Sequence, residues 1–488
     1  MRVNFVISYP GAIALTLLAV SCAGTSPKSS KGKLDVGAPE VYQATDRQGR
    51  ALADVHWIAD FHDSKLSALV KEANLNNRDL AAAAANVEIA GARAIQAGSA
   101  LFPQINGLGR GRRAKQNFIG FPVGPGGSTP VLQSLSNQYD LSMDLSWELD
   151  LWGRIRAGQS AAVAELQATQ TDRAAAQLSV GAQTAKLWFA LIETRQQENL
   201  ARRTVEIFGK TEKILRDKFE LGIADEQKGL ASQLRLAMSD QATAREALTR
   251  QKQQREQISR QLEVLLGRYP GGALSSGVNL PKMPPTPPAG LPASLLDRRP
   301  DLVAAERRLA ATDKRLLEAK LAMFPTISLT ASGGRTSNDL QSLTDGNLSV
   351  WSLAGGVTQP VFQGGRIREG INIRKGEAKR ALANYEKDAL VAFREVEDAL
   401  AAESYLSRRE KDLIAAAKLA AEAHQSADEE YANGVGDVLT MLTAQRQMVL
   451  KESERLVIRR VRLDNRVDLY LALGGDFKER KKQTAAEE

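Results

Sequence analysis

One short stretch constrains this chain more than any other: Ser146 to Arg156, S-W-E-L-D-L-W-G-R-I-R. Leading into it, Tyr139, Leu141, Met143, Leu145, Trp147, Leu149 and Leu151 alternate with Asp140, Ser142, Asp144, Ser146, Glu148 and Asp150. Alternation that strict gives a β-strand one apolar and one wet face. After Gly153 the chain becomes rich in Ala, Gln and Glu and free of proline for a long way, the composition of a helix. A strand therefore runs into a helix with only Trp152-Gly153 as the joint. The same joint returns at Thr358 to Arg368, T-Q-P-V-F-Q-G-G-R-I-R, after another strand-like stretch. Two junctions of this kind point to an internal duplication.

Other landmarks repeat with it. Asp301-Leu302 follows Asp79-Leu80, and Phe324-Pro325 follows Phe102-Pro103, both 222 residues later. Arg366 follows Arg154, Glu377 follows Glu165, and Tyr431-x-x-Gly434 follows Phe219-x-x-Gly222, all 212 residues later. The offset changes once, between the Phe-Pro and the joint, so the slip belongs to a single loop of a duplicated unit. Between those landmarks each copy holds two strands. The first pair is a glycine-rich strand over Gln104 to Arg113 and the alternating one over Tyr139 to Leu151, around the loop Phe121-Pro122-Val123-Gly124-Pro125-Gly126-Gly127. In the second pair Ile327, Leu329 and Ala331 alternate with Ser328, Thr330 and Ser332, while Trp351, Leu353 and Val357 lead to the joint. Pro360 falls near the strand end, where a missing donor does least harm. Gly107-x-Gly109-x-Gly111 opens no helix and is not a phosphate loop.

Each joint leads into a helix of roughly 65 residues, about 100 Å long at about 1.5 Å per residue. Leu200, Ile207, Ile214 and Leu221 recur every seven residues, as do Leu442, Val449, Leu456, Leu463 and Tyr470. Such repeats wind helices along narrow seams. The long helices end at the matched Gly222 and Gly434, and a second helix returns from each turn; the first return ends near Leu266-Gly267. The expected organisation is a first repeat over 61–280 (helix, β-hairpin, two long helices), a proline-rich crossing over 281–298, a second repeat over 299–475 and a polar tail over 476–488.

Basic residues number 65 against 57 acidic ones, mixed along the helices, which excludes a dedicated nucleic-acid surface. The apolar run Ala12 to Val20 is too short to span a membrane, and Ala19-Val20-Ser21-Cys22 has the form of a lipobox. A lipoprotein signal peptide over 1–21 is expected, with acyl chains of the palmitate type on Cys22 and a polar tether over 22–60. Cys22 is the only cysteine, which leaves no disulfide and no Cys-based metal site. His56, His62 and His424 are too few and scattered for a metal or a catalytic triad, and no nucleophile motif is present. Neither an enzyme, a cofactor nor a metal is expected.

The fold expected from these pieces is mainly α with a transmembrane β part. Four strands per chain cannot close a barrel, and an open sheet with one apolar face leaves its edges unpaired. Within a membrane every backbone group needs a partner, so copies of the chain must assemble.

Taken together the motifs resemble the TolC family of outer-membrane channels, in the lipoprotein (NodT-like) branch that serves resistance-nodulation-division efflux pumps. The resemblance rests on Cys22 in its lipobox, S-W-E-L-D-L-W-G-R-I-R at 146–156, L-L-G-R-Y-P-G at 265–271 and R-R-P-D-L-V-A-A-E-R-R-L at 298–309. A-M-F-P-T-I-S-L-T at 322–330, P-V-F-Q-G-G-R-I-R at 360–368 and F-R-E-V-E-D-A-L at 393–400 complete it. It implies a homotrimer with a twelve-stranded β-barrel in the outer membrane above a twelve-helix periplasmic α-barrel. The implied partners are outer-membrane lipids, a periplasmic adaptor (membrane fusion) protein and the inner-membrane pump; drugs or other small toxic compounds would pass through the lumen. It places Gly153, Arg154, Gly364, Gly365 and Arg366 at the strand–helix joints. Tyr431, Gly434 and Asp437, with Gly222, Asp225 and Glu226 of the first copy, would form the periplasmic tip or gate. Thr443 stands where the family carries a gate-ring aspartate, which leaves Asp437 as the candidate acid. A type I protein-secretion channel is the alternative within this fold. A periplasmic coiled-coil adaptor is a more remote one, and it leaves the strands and glycine joints unexplained.

Replacing Cys22 by serine is expected to abolish acylation and leave the precursor uncleaved, as read by mass spectrometry of membrane fractions. Processing at the same place in that variant would assign the leader to an ordinary signal peptide.

Overall fold

The structure, a computed structural model, describes residues 42–44, 57–119, 131–221, 229–275, 277–288, 290 and 292–475. Cys22 and the tip residues Gly222, Asp225 and Glu226 lie outside them, as does His56. The chain divides into two compact units. Among the described residues no helix is long and apolar enough to cross a membrane, and no His, Cys, Asp and Glu group could hold a metal.

One unit, which includes Glu88–Ala168 and Glu306–Asn384, contains the sheet. Its strands β1 (Gln104–Phe118), β2 (Leu132–Leu149), β3 (Thr326–Ser337) and β4 (Ser349–Thr358) are antiparallel neighbours in chain order. The first hairpin is longer than the alternation in sequence indicates, because Gln133, Ser134, Ser136 and Asn137 continue the ladder opposite Arg113 to Asn117. The wet face of β2 is tied across the sheet. Ser332 donates to Asp144 at 2.6 Å, and Thr336 to Asp140 at 3.0 Å. On the opposite face Leu141, Met143, Trp351, Leu353 and Val357 are exposed. Glycines at 333 and 334 extend β3 between these rows; a Cβ at Gly334 would lie 2.2 Å from the Leu141 carbonyl oxygen.

The first joint explains its own sequence. Gly153 has φ of +83°, a left-handed conformation that side chains avoid. Asp150 then caps the helix that follows, α3 (Arg154–Glu220), accepting from the amides of Ile155 at 3.0 Å and Arg156 at 2.9 Å. Burial alone would push the Asp150 carboxyl up; those amides and the Arg156 guanidinium hold it below its usual value. Arg154 pairs with Glu148 at 2.7 Å. Trp152 donates to the Pro325 carbonyl at 2.7 Å and stacks on Phe324, ring centres 5.3 Å apart, while Trp147 donates to the Leu101 carbonyl at 2.9 Å. The second Phe-Pro landmark thus braces the first joint. At the second joint Gly364 and Gly365 have φ of +57° and +88°, and Arg366 opens α7 (Arg366–Ala432). The Asp150 cap has no counterpart at the matching position, where Phe362 stands, 89% exposed.

The other unit includes Thr169–Ala305 and Tyr385–Glu488. Its largest core gathers Trp57, Phe61, Leu66, Trp188, Phe189 and Tyr470. Trp57 stacks on Tyr470 at 5.7 Å, and the Tyr470 hydroxyl donates to Asp60 at 2.7 Å. Asp63 caps α1 (Ser64–Asn76) and accepts from the Trp188 indole at 2.8 Å. The helical pattern after Phe61 is interrupted at Asn77. Its side-chain oxygen caps α2 (Arg78–Ser99), while its amide donates to the Leu265 carbonyl, the last residue of α4 (Leu230–Leu265).

The proline-rich crossing is extended only at first; Pro292 starts the short helix α5 (Pro292–Arg298), a position where its missing amide hydrogen costs nothing. Next comes α6 (Pro300–Leu321). Arg466 of α8 (Val438–Ala472), 1% exposed, donates to the Pro284 carbonyl and to Thr286 and pairs with Glu403. Glu410 is opposed by burial yet held below the usual carboxylate range by Arg459 and Arg462.

One seam differs from its sequence pattern. Along α3 the expected Leu200 is buried, but beyond it the buried line runs through Thr204, Phe208, Thr211 and Leu215, while Ile214 and Leu221 are exposed. Thr204 and Thr211 enter the seam because their hydroxyls donate to the carbonyls of Leu200 and Ile207. In α8 the expected Leu442, Leu456, Leu463 and Tyr470 are buried.

At Gly153, Gly364 and Gly365 an added Cβ would meet nothing within 4 Å, so only the backbone angle demands glycine. A left-handed residue with a side chain costs about 1–2 kcal/mol, less for asparagine. Gly153→Val is therefore expected to lower the thermal midpoint clearly and Gly153→Asn only slightly, as read by circular dichroism. Equal losses would show that the position is limited by space rather than by angle.

Candidate functional site

The site is the turn between α7 and α8, where the sequence places a tip. The long helix ends in a left-handed cap: Gly434 has φ of +76°, its amide donates to the Tyr431 carbonyl at 3.1 Å, and those of Val435 and Gly436 donate to the Glu430 carbonyl at 3.0 Å. The return helix opens on Asp437, whose carboxylate accepts from the Thr440 amide at 3.3 Å. Asp437 is thus engaged as a helix cap. Thr443 is exposed and donates its hydroxyl hydrogen to the Leu439 carbonyl at 2.7 Å, turning its oxygen back onto its own helix. Tyr431 packs against a small core of Leu215, Leu234, Ala237, Val438, Met441 and Leu442. The Lys218 ammonium lies 4.4 Å from the centre of its ring, a cation–π contact.

Tyr431, Gly434 and Asp437 therefore share one turn. Gly153, Arg154, Gly364, Gly365 and Arg366 occupy the joints already described.

Five further residues shape the tip and escape the sequence reading. Gly436 is needed for space, since a Cβ there would lie 2.7 Å from the Tyr431 nitrogen. Arg446 grips Asp240 of α4 through both carboxylate oxygens, at 2.8 Å and 3.1 Å. Gln445, 1% exposed, donates to the Thr211 hydroxyl of α3 at 2.9 Å. These last contacts tie the second long hairpin to the first. No local pattern announces them, because Asp240 and Arg446 are separated by 206 positions.

Among the described residues no group of His, Cys, Asp and Glu here could hold a metal.

Known proteins share this architecture over most of the chain. Residues 69–268 and 291–475 match the model of a family described as outer membrane efflux protein. The outer membrane protein OprJ of Pseudomonas aeruginosa is 32% identical over 483 residues, covering 96% of this chain and 95% of its own. The toluene efflux pump outer membrane protein TtgF of Pseudomonas putida is 31% identical over 459 residues, covering 93% and 91%. In the crystal the CmeC outer membrane channel of Campylobacter jejuni has the same fold, with a TM-score of 0.82 at 25% identity over 91% of this chain and 94% of that one. Matched along both halves, over 69–268 and 291–475, this chain belongs to the outer membrane efflux protein family.

Proposed function

We propose that three copies of this protein close a twelve-stranded barrel in the outer membrane and form the passive conduit of a tripartite efflux pump. The observation that carries this reading is the four-stranded sheet, with two unpaired edges and an exposed apolar face, whose strands continue through glycine joints into helices of 67 residues each. Leu141 to Leu149 on β2 make an apolar-faced stretch of nine residues, within the roughly 9–11 that a tilted strand needs to cross a membrane. Alternating Asp140, Ser142, Asp144, Ser146 and Glu148 then line a wet lumen.

The cargo is drugs or other small toxic compounds. The inner-membrane partner is a resistance-nodulation-division pump, reached through a periplasmic adaptor, and Cys22 carries the lipid anchor. The family is one of channels, and the protein moves its cargo without chemical change. Energy comes from the pump.

In this reading the α7–α8 turn is the inner gate. Two kinds of contact hold it: the Arg446–Asp240 pair joining α8 to α4, and Tyr431 under Lys218 joining α7 to α3. Asp240 is largely buried and Arg446 about two-fifths exposed, so each contact contributes on the order of 1 kcal/mol. Contacts that weak suit a latch that an adaptor can open.

In planar bilayers the purified parent protein should conduct poorly, and Arg446→Ala with Tyr431→Ala should raise single-channel conductance several-fold with assembly intact. Unchanged conductance would place the gate elsewhere. Asp437→Asn keeps a capping side chain and is expected to leave conductance near the parent value.

A further inference from the structure

The duplication can be read quantitatively in the sheet. Moving a β1 residue forward by 222 lands on β3, and moving a β2 residue forward by 212 lands on β4. Gln104 and Ser146 are partners in the first hairpin; the same shifts give Thr326 and Thr358, which are partners in the second. Ile105 with Leu145 likewise gives Ile327 with Val357. Both hairpins therefore share one register although their loops differ in length.

The chain also contains one seam between copies of the repeat, where β2 of the first meets β3 of the second. Shifting β2 forward by 212 and β3 back by 222 turns that seam into one between β4 and β1. These are the two edges of the sheet, and a chain cannot pair its own. Their partners must come from another copy, a step that rests on the assembly proposed above.

We infer that β4 of one copy pairs antiparallel with β1 of the next in a single register, in which Trp351 faces the partner's Lys115 and Thr358 faces the partner's Leu108. The pair Tyr139 and Ser337 of the internal seam maps onto the first of these, and Ser146 and Thr330 onto the second.

Three further observations fit this register. Every residue of β4, Ser349–Thr358, finds a counterpart within the longer β1. The faces agree: Trp351, Leu353 and Val357 fall on the side where Gly107 and Gly109 lie beside Met143 and Leu141, whereas a slip of one residue would turn them to the wet side. Bulk is complementary as well. The small Ala354 and Gly356 fall opposite the partner's Arg112 and the partner's Arg110, leaving those guanidiniums room on the wet face. On the apolar side Trp351, 82% exposed in the single chain, would receive the partner's Lys115 against its indole.

Cysteine pairs read the register directly, because opposite Cβ atoms are about 5 Å apart and those two positions off about 7–8 Å, beyond disulfide reach. Two matched pairs, one per face, are Ser352→Cys with Ala114→Cys and Leu353→Cys with Arg113→Cys. The shifted pairs join Ser352→Cys to Arg112→Cys or to Gln116→Cys. The parent chain, with Cys22 its only cysteine, is the background. Each variant is made as the full chain, oxidised in outer-membrane fractions and run without reductant, and the mass of its reduced form is measured in mild detergent. The inference expects linked multimers from the matched pairs, several-fold above the shifted ones. Variants that assemble but link best through a shifted pair, or through none, would overturn the register and leave the assembly intact. Loss of links in every variant, with a parent that is a folded monomer, would overturn the assembly reading and the register with it.

Discussion

An amide at the edge of a sheet facing hydrocarbon has no water to bond, and each such group left unpaired costs several kcal/mol. This chain has two such edges, β1 and β4, beside an apolar face that it does not cover itself. Closing the barrel with further copies removes both problems together. Closure also sets the geometry below it: every strand pair in the ring fixes where the helices leave the membrane, so the joints must all turn in the same way. The left-handed Gly153 and the Asp150 cap supply that turn at one joint, and a glycine pair supplies it at the other.

The division of labour between the two joints follows from the duplication. Equal copies would give equal caps, yet Asp150 has become Phe362 in the second copy. The first joint is held by polar contacts within the chain, whereas the second exposes Val361 and Phe362. The tip shows the same drift: one half ends in Tyr431-x-x-Gly434 and the other in Phe219-x-x-Gly222. A duplicated backbone has kept its strand register while its side chains have specialised.

Much of the fold was legible in sequence because its signals are local. Alternation along Tyr139 to Leu149 requires a two-faced strand, and glycine followed by an uninterrupted helical composition requires an abrupt joint. Along α3 the apolar periodicity marks the buried Leu200 but not the line beyond it. That line contains Thr204 and Thr211, which look polar until their hydroxyls are paired with the preceding turn. At the tip, Tyr431 and Gly434 were visible from their spacing. Asp437 reads in sequence as a candidate gate acid; its further part as the cap of α8 is not visible there, because a helix cap and a pore carboxylate look alike in sequence. The Asp240–Arg446 and Thr211–Gln445 contacts depend on how helices meet in space, and nothing near them in the chain reports it.

The central claim is that the sheet is one third of a closed barrel. Mass photometry of the full chain, solubilised from outer membranes in mild detergent, tests it most directly. The account predicts a single species of three chains that persists on dilution. A stable, folded monomer, or a ring of another number, would contradict it.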